Sequence, residues 1–210
     1  MSAAEPTPAD RPIEPGARDR ILAAAVERIA SDGIDDVRIA RIAMDAGVST
    51  ALVHYHFETR DALLEEALEY SYELAGDVRI GEGEGEAADH THRLAAMVDQ
   101  CLPYPGMLER DFILWIELWL RASRRPELRP TASGLYARMH DWFRDAIAAG
   151  VESGEFRPVD PDRVADRALA LLDGFGIRVL VGDLPLERAR AEAWAMLAEE
   201  LGLDPEPPPR

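Results

Sequence analysis

The sequence contains no lysine, so all 23 of its basic residues are arginine. A GC-rich genome explains this bias without a functional cause, although arginine does bind phosphate through two parallel hydrogen bonds. The single cysteine, Cys101, excludes an internal disulfide. Such sparse cysteine use suits a reducing compartment.

Long apolar runs are also missing. No stretch has the roughly 20 consecutive apolar residues that a membrane-spanning helix needs. Residues 1–20 lack the charged-then-apolar order of a signal peptide. No stretch alternates with a period of two residues for long enough to indicate a strand. We therefore expect an all-α, cytoplasmic protein with no membrane partner.

Recognisable catalytic and metal-binding motifs are absent too, so we predict no catalytic residue, no cofactor and no enzymatic activity. His54 and His56 are two residues apart on a predicted helix and point to different sides, which makes them poor partners for a metal. Asp89, His90 and His92 follow a glycine-rich acidic segment and are interpreted as a solvated helix start.

The net charge of −17 at first argues against a nucleic-acid partner, because DNA-binding proteins usually carry a basic surface. The charge is unevenly distributed along the chain. Residues 16–60 contain six arginines and seven acidic residues, a net charge of −1, whereas residues 61–101 contain two and eleven, a net charge of −9. The N-terminal segment therefore remains a candidate for DNA binding.

What the sequence does contain is helical periodicity from Arg18 onward. The first helix ends near Gly33, Asp36 is predicted to cap the second, and Ser49 is predicted to cap a third at 50–56. A long fourth helix at 60–79 connects these to a larger helical region. Its helices are predicted at 89–101, 106–124, 127–153, 161–182 and 186–201.

The proline-rich ends, 1–15 and 204–210, are predicted to be disordered tails, and 81–88 a flexible acidic loop. Between the tails we expect two domains. Residues 16–62 form a small three-helix bundle, and residues 63–203 form the larger helical domain.

Residues 37–60 indicate a helix-turn-helix, in which the second helix lies in the DNA major groove. Ala43 allows close backbone approach and Gly47 supplies a turn residue that tolerates a positive φ. Leu52 and Val53 face inward, which leaves hydroxyl, phenol and imidazole groups facing outward. A three-helix bundle that only packs would show the same spacing.

This segment resembles the TetR family of bacterial repressors. The matching residues are Ile42-Ala43, Ala46-Gly47-Val48-Ser49, Leu52 to Phe57, Arg60 and Leu63-Leu64. The resemblance implies that bases or backbone of an operator are contacted from this segment, with Arg60 binding phosphate in place of the usual lysine. His54 replaces a common tyrosine, Arg38 replaces a common threonine, and Glu58 should repel phosphate slightly. The implied DNA-binding residues are Arg38, Ser49, Thr50, Ala51, His54, Tyr55, His56 and Arg60.

The later segments WIELW, RRPELR, GVESGEFRPVDP and ALLDGFGIRVLVGD resemble the ligand-binding domain of the choline-responsive subgroup of that family. Large aromatic residues at helical spacing suit either a core or a pocket. The ligand-binding candidates are Met97, Cys101, Phe112, Trp115, Glu117, Trp119, Tyr136, Met139, Trp142, Phe143, Asp173 and Phe175. Cys101 also fits a small core residue.

Glu117 lies among tryptophans, so it is either exposed, paired with an internal arginine, or in contact with a cationic ligand. Asp173 has the same ambiguity. We expect a small-molecule effector that is cationic or aromatic.

Two C-terminal helices carry apolar stripes that fit either the chain's own core or, by resemblance to the family, a four-helix dimer interface. The interface candidates are Ala168, Leu171, Leu172, Phe175, Val179, Ala193, Met196 and Leu197. The sequence therefore predicts a homodimeric transcriptional repressor that binds double-stranded operator DNA and is released by a small molecule. The alternative is a helical ligand-binding module that does not bind DNA.

Overall fold

The structure is a computed structural model that describes residues 16–82 and 89–210, and of residues 72–82 it describes only the backbone. These residues form nine α-helices and one short 3₁₀-helix, Pro126–Leu128, with no strand among them. The α-helices are α1 Ala17–Asp32, α2 Ile39–Asp45, α3 Thr50–His56, α4 Arg60–Glu82, α5 His90–Gln100, α6 Met107–Arg124, α7 Arg129–Glu152, α8 Pro161–Leu180 and α9 Leu186–Leu201.

The all-α prediction is thereby confirmed. The described helices include none that is long and apolar enough to cross a membrane. The tail predicted at 1–15 and most of the loop predicted at 81–88 lie outside the described residues.

The start of α2 differs from the sequence prediction. Asp36 does not cap this helix; the N-cap is Arg38, which makes no side-chain capping bond. The reason is local, because Asp36 N donates to Gly33 O at 3.2 Å and this turn keeps Asp36 in the loop. Val37 is then buried, which pins the loop before the helix begins.

Two apolar cores hold the helices together. The first core is formed by α1, α2, α3 and α4 together with the buried face of α6 and the start of α7. The second core is formed by α5, α7, α8 and α9. Helix α6 contributes Leu114, Trp115 and Leu118 to the first core, so the DNA-binding candidate region and the larger helical region share apolar contacts.

Ion pairs tie both ends of α6 to the N-terminal helices. Near its start Arg110 pairs with Glu27 of α1. Just after its end Arg125 pairs with Asp61 at 2.7 Å and with Glu65, both on α4. The hydrogen bond from Arg125 lowers the pKa of Asp61. Each surface pair contributes little free energy, but together they fix where α6 sits against α1 and α4.

The C-terminal segment 204–210 packs on the protein instead of forming the disordered tail that its composition predicts. Trp194 Nε1 donates to Asp204 O at 3.0 Å, and Arg190 Nη2 donates to Pro208 O at 2.6 Å. The guanidinium carbon of Arg210 lies 3.6 Å from the ring centre of Tyr104. Two side chains of α9 thus donate hydrogen bonds to backbone carbonyls of this segment, and composition alone does not predict these bonds.

The apolar stripes of α8 and α9 pack largely in the chain's own core. Four of the predicted interface residues are fully buried: Ala168, Leu172, Ala193 and Leu197. Phe175, Val179 and Met196 are half-buried and pack against the same core, and Leu171 is half-buried. The outer face of α8 instead exposes Ala170, Gly174 and Ile177, followed by Val181.

Candidate functional site

The helix-turn-helix forms as the spacing predicts. Gly47 has a φ of 66°, and Val48 N donates to Ala43 O at 2.9 Å to close the turn. Ser49 caps α3, because its hydroxyl accepts from Leu52 N at 3.2 Å. Val53 and Phe57 are buried beneath α3. Helix α3 is thus held in place by its buried face, and its opposite face is exposed to solvent.

The outward face of α3 carries most of the predicted DNA-binding side chains. Tyr55 is 81% exposed and Met44, on the neighbouring helix α2, is 67% exposed. His56 is half-buried and lies edge-on to Tyr55, with ring centres 5.3 Å apart. The other exposed candidates are Arg38, Ser49, Thr50, Ala51 and His54. Arg41 and Met44, exposed on α2, are further surface residues that sequence reasoning missed.

Arg60 binds the chain itself, whereas the resemblance implies a phosphate contact. Its guanidinium donates to three backbone carbonyls in the loop between α1 and α2. The acceptors are Ile34 O at 2.6 Å, Asp35 O at 2.9 Å and Val37 O at 2.9 Å. The side chain therefore anchors the loop that leads directly into Arg38.

Replacing Arg60 with alanine should lower the free energy of unfolding by about 1–3 kcal/mol, because partly buried carbonyls lose their donor. Urea unfolding at fixed protein concentration measures this loss. Arg38→Ala is the matched control, since Arg38 is exposed and should affect DNA affinity but not stability. Unchanged stability of Arg60→Ala, with a salt slope of DNA binding lower by about one, would restore Arg60 as a phosphate contact.

A small cavity lies between α5, α6, α7 and α8. Its volume is about 30 Å³, which is room for a water molecule. One face of α6 forms its wall through Leu108, Phe112, Trp115 and Trp119, spaced three or four residues apart. The other lining residues are Gln100, Cys101, Tyr136, Met139, Leu169, Leu172 and Asp173.

Seven predicted ligand-binding residues therefore come together around this cavity: Cys101, Phe112, Trp115, Trp119, Tyr136, Met139 and Asp173. Five others do not line it. Met97, Trp142 and Phe143 are buried in the second core, against which Phe175 also packs. Glu117 is half-buried on α6, but its position two residues from both Trp115 and Trp119 turns it away from the cavity.

Sequence reasoning missed Gln100, Leu108 and Leu169, and assigned Leu172 to the dimer interface. The helical spacing from Leu108 to Phe112 was the signal that could have found Leu108. Phe112 itself is held in place by Gly176 of α8, where an added Cβ would lie 2.1 Å from the ring carbon Cζ.

Asp173 supplies the carboxylate of the cavity. Tyr136 donates its hydroxyl hydrogen to Asp173 Oδ2 at 2.6 Å. Burial raises the pKa of Asp173 above its ordinary value, although the hydrogen bond from Tyr136 opposes this shift. Burial also raises the pKa of Tyr136, helped by the adjacent carboxylate. Among the described lining residues there is no basic side chain to neutralise Asp173.

An open groove of about 470 Å³ adjoins the cavity on the outer side of α7 and α8. Tyr136, Leu169 and Asp173 line both spaces and thus form the wall between them. The groove also contains Asp166, whose Oδ1 lies 3.5 Å from His140 Nε2. A cation approaching the wall from this side would meet carboxylates first.

Electron-rich indole and phenol faces surround this cavity. Trp119 stacks on Tyr136 with ring centres 5.2 Å apart and an angle of 10° between the planes. Trp115 lies edge-on to Trp119 at 5.5 Å. Aromatic faces next to an uncompensated carboxylate form the type of site that holds an organic cation.

Two models of known protein families match this chain. Residues 21–67 match the model for bacterial regulatory proteins of the tetR family, and residues 90–202 match that for the C-terminal domain of BetI-type transcriptional repressors. The HTH-type transcriptional regulator BetI 1 of Chromohalobacter salexigens is 26% identical over 196 residues, which cover 90% of this chain and 92% of the relative.

Solved structures show the same fold. A transcriptional regulator from Saccharomonospora viridis in complex with choline has a TM-score of 0.80 and 34% sequence identity, covering 88% of this chain and 97% of that one. A TetR-family regulator from Rhodococcus sp. has a TM-score of 0.72 and 30% identity, covering 88% and 98%.

The exposed α3, the turn at Gly47 and both domain matches favour a DNA-binding repressor over a helical module without DNA binding. Regulators of this family bind operator DNA as dimers and respond to small-molecule effectors. The chain belongs to the TetR family of bacterial transcriptional regulators, with a C-terminal domain of the BetI repressor type.

Proposed function

We propose that this repressor senses a small organic cation of the choline type in the cavity between α5, α6, α7 and α8, and leaves its operator when the cation binds. The observation that carries the proposal is the position of Asp173, a carboxylate without a basic partner among the described lining residues. The choline complex of the Saccharomonospora viridis regulator supports the same ligand class.

On the DNA side, the proposed contacts come from the exposed faces of α2 and α3. Tyr55, Thr50 and Ala51 face bases or sugars, while Arg38 and His56 face the phosphate backbone. Arg60 acts indirectly by anchoring the loop before Arg38. Two copies of α3 in the dimer would bind half-sites spaced by one helical turn or a multiple of it.

For the dimer, the proposed contact surface is the outer face of α8, because the original stripe is largely buried within the chain. Ile177 is 43% exposed and Val181 is 71% exposed, and small residues at Ala170 and Gly174 allow close approach. We place the protein in the cytoplasm, where its operator lies.

Helix α6 is the proposed link between ligand and DNA. Phe112, Trp115 and Trp119 line the cavity, whereas Leu114 and Leu118 of the same helix pack in the first core. A cation larger than the free cavity must displace α6, and the ion pairs of Arg110 and Arg125 would carry that displacement to α1 and α4. Ligand binding then shifts the dimer toward a spacing that does not fit the operator.

A gel-shift titration with promoter fragments from the source genome tests the proposal. The full-length protein should bind one fragment more tightly than random DNA at moderate salt, and choline should release it. Tyr55→Ala should weaken this binding about tenfold, because an exposed base-facing contact is worth about 1–3 kcal/mol.

Met107→Ala is the matched control, since Met107 is 57% exposed at the start of α6, in the larger domain. Its operator affinity should equal that of the wild type. Equal binding to all DNA would contradict operator recognition, and a complex that choline does not release would contradict the proposed effector class.

A further inference from the structure

Two buried polar atoms of the cavity-lining side chains have no hydrogen-bond partner within the part of the chain that the structure describes. They are Trp119 Nε1 and Gln100 Oε1. Buried polar groups are nearly always paired, so an unpaired donor and an unpaired acceptor beside the same cavity need an explanation.

The surroundings of Trp119 leave its N–H unpaired. The indole stacks face to face on Tyr136 and meets Trp115 edge to face. Both contacts involve the ring system, and an indole N–H can only donate a hydrogen bond. A partner for this atom must therefore be an acceptor, and the free cavity has no room for more than water-sized groups.

Gln100 is the last residue of α5 and lines the cavity. Its amide offers an acceptor at Oε1 and donors at Nε2, so it pairs with a group that has both functions. A hydroxyl group fits both atoms, because its oxygen accepts from the indole N–H while its hydrogen goes to the amide oxygen.

The charge of the cavity excludes the other common acceptor. A ligand carboxylate would find no basic side chain among the described lining residues and would be repelled by Asp173. A neutral hydroxyl avoids both penalties. Asp173 and the aromatic rings are then left to hold the cationic end of the same molecule.

We propose that Trp119 Nε1 and the Gln100 amide form a hydroxyl-recognition subsite, so that the cavity selects organic ammonium ions that carry a hydroxyl group. This inference rests on the proposed function, because it assumes that a cation binds beside Asp173. It assigns the specificity for the hydroxyl end of the ligand to two polar groups, the indole N–H of Trp119 and the side-chain amide of Gln100.

The test compares choline with propyltrimethylammonium, in which a methyl group replaces the hydroxyl. Isothermal titration of the full-length protein should show choline binding about tenfold more tightly, which corresponds to about 1.4 kcal/mol. Glycine betaine, with its carboxylate, should bind at least about tenfold more weakly than choline.

Gln100→Met and Trp119→Phe should each bring the ratio of the two affinities toward one, mainly by weakening choline. Each variant keeps an apolar or aromatic body of similar size and loses only the polar group. Met196→Leu is the matched control, because Met196 is a half-buried methionine that packs against the second core and does not line the cavity, so the variant should keep the wild-type ratio.

The outcomes separate this inference from the proposed function. Equal wild-type affinity for choline and propyltrimethylammonium would contradict the subsite and leave the cation site intact. Binding of neither ion would contradict the proposed function itself. A preference for choline that survives in Gln100→Met would also overturn the subsite, and this variant decides the matter if Trp119→Phe does not fold.

Discussion

Replacing Asp173 with asparagine should weaken choline binding by about 100-fold, or about 2.7 kcal/mol. Asparagine keeps the shape and can still accept the hydrogen bond from Tyr136, so the change removes the charge and little else. Isothermal titration of the full-length protein measures the loss. Normal choline affinity in Asp173→Asn would contradict the role of this carboxylate.

Glu117→Gln is the matched control for the same charge change. Glu117 is a half-buried carboxylate on α6 that does not line the cavity. Its choline affinity should equal that of the wild type, so a loss equal to that of Asp173→Asn would place the cation elsewhere.

The pH dependence of choline binding follows from the raised pKa of Asp173. Protons compete with the cation for the carboxylate, so choline affinity should fall as the pH drops through this raised pKa, by up to about tenfold per pH unit.

The raised pKa of Asp173 also makes the free energy of unfolding depend on pH. The folded state holds the Asp173 proton more tightly than the unfolded state, so its contribution to stability is present at low pH and is lost as the pH rises.

Asp173→Asn should therefore leave the unliganded protein at least as stable as the wild type at neutral pH, while binding choline poorly. Thermal unfolding with and without choline separates the two effects. Such a trade of stability for function is common at binding sites.

Removing Asp99 should cause a large loss of stability in the larger domain. Arg190 Nε donates to Asp99 Oδ1 at 2.6 Å, and both residues are buried, at 8% exposure each. Tyr104 also donates to Asp99 Oδ1, at 3.2 Å. In Asp99→Ala the guanidinium of Arg190 stays buried without its counter-charge, which costs about 3–5 kcal/mol.

Urea unfolding at one protomer concentration measures this loss, since dimerisation contributes to the apparent stability. The exposed pair of Arg167 and Glu200 supplies the control, and Arg167→Ala should cost less than about 1 kcal/mol. The double variant Asp99→Leu with Arg190→Met should recover much of the loss. Equal losses in Asp99→Ala and Arg167→Ala would contradict the account.

Helical spacing was sufficient to predict the helices and one wall of the cavity. Phe112, Trp115 and Trp119 share a face of α6, and the period of 3.6 residues shows this directly. Spacing cannot show which neighbour covers a face. Helix α7 is apolar on two sides, so Tyr136 and Trp142 look alike in sequence, although one lines the cavity and the other lies in the second core.

The two predictions that differ most from the structure both involve partners distant in the chain. The apolar stripe on α8 and α9 packs in the same core as α5 and α7, and α5 ends 86 residues before α9 begins. Arg60 is a basic residue where the family has a phosphate contact, yet carbonyls 23 to 26 residues earlier in the chain accept its hydrogen bonds. A single sequence carries no information about such pairings.

Under the proposed function, the small volume of the cavity also sets the sensitivity of the repressor. The cation would bind only those protein molecules in which the cavity has opened. The apparent dissociation constant is therefore the intrinsic one divided by the fraction of open molecules. If about one protein molecule in a hundred is open, the apparent dissociation constant is about 100 times the intrinsic one. Phe112, which lines the cavity, packs directly against Gly176 of α8, so α6 and α8 are in close contact at this point. Under the proposed function, this contact would set a threshold, so that the operator stays occupied until the effector has accumulated well beyond trace amounts.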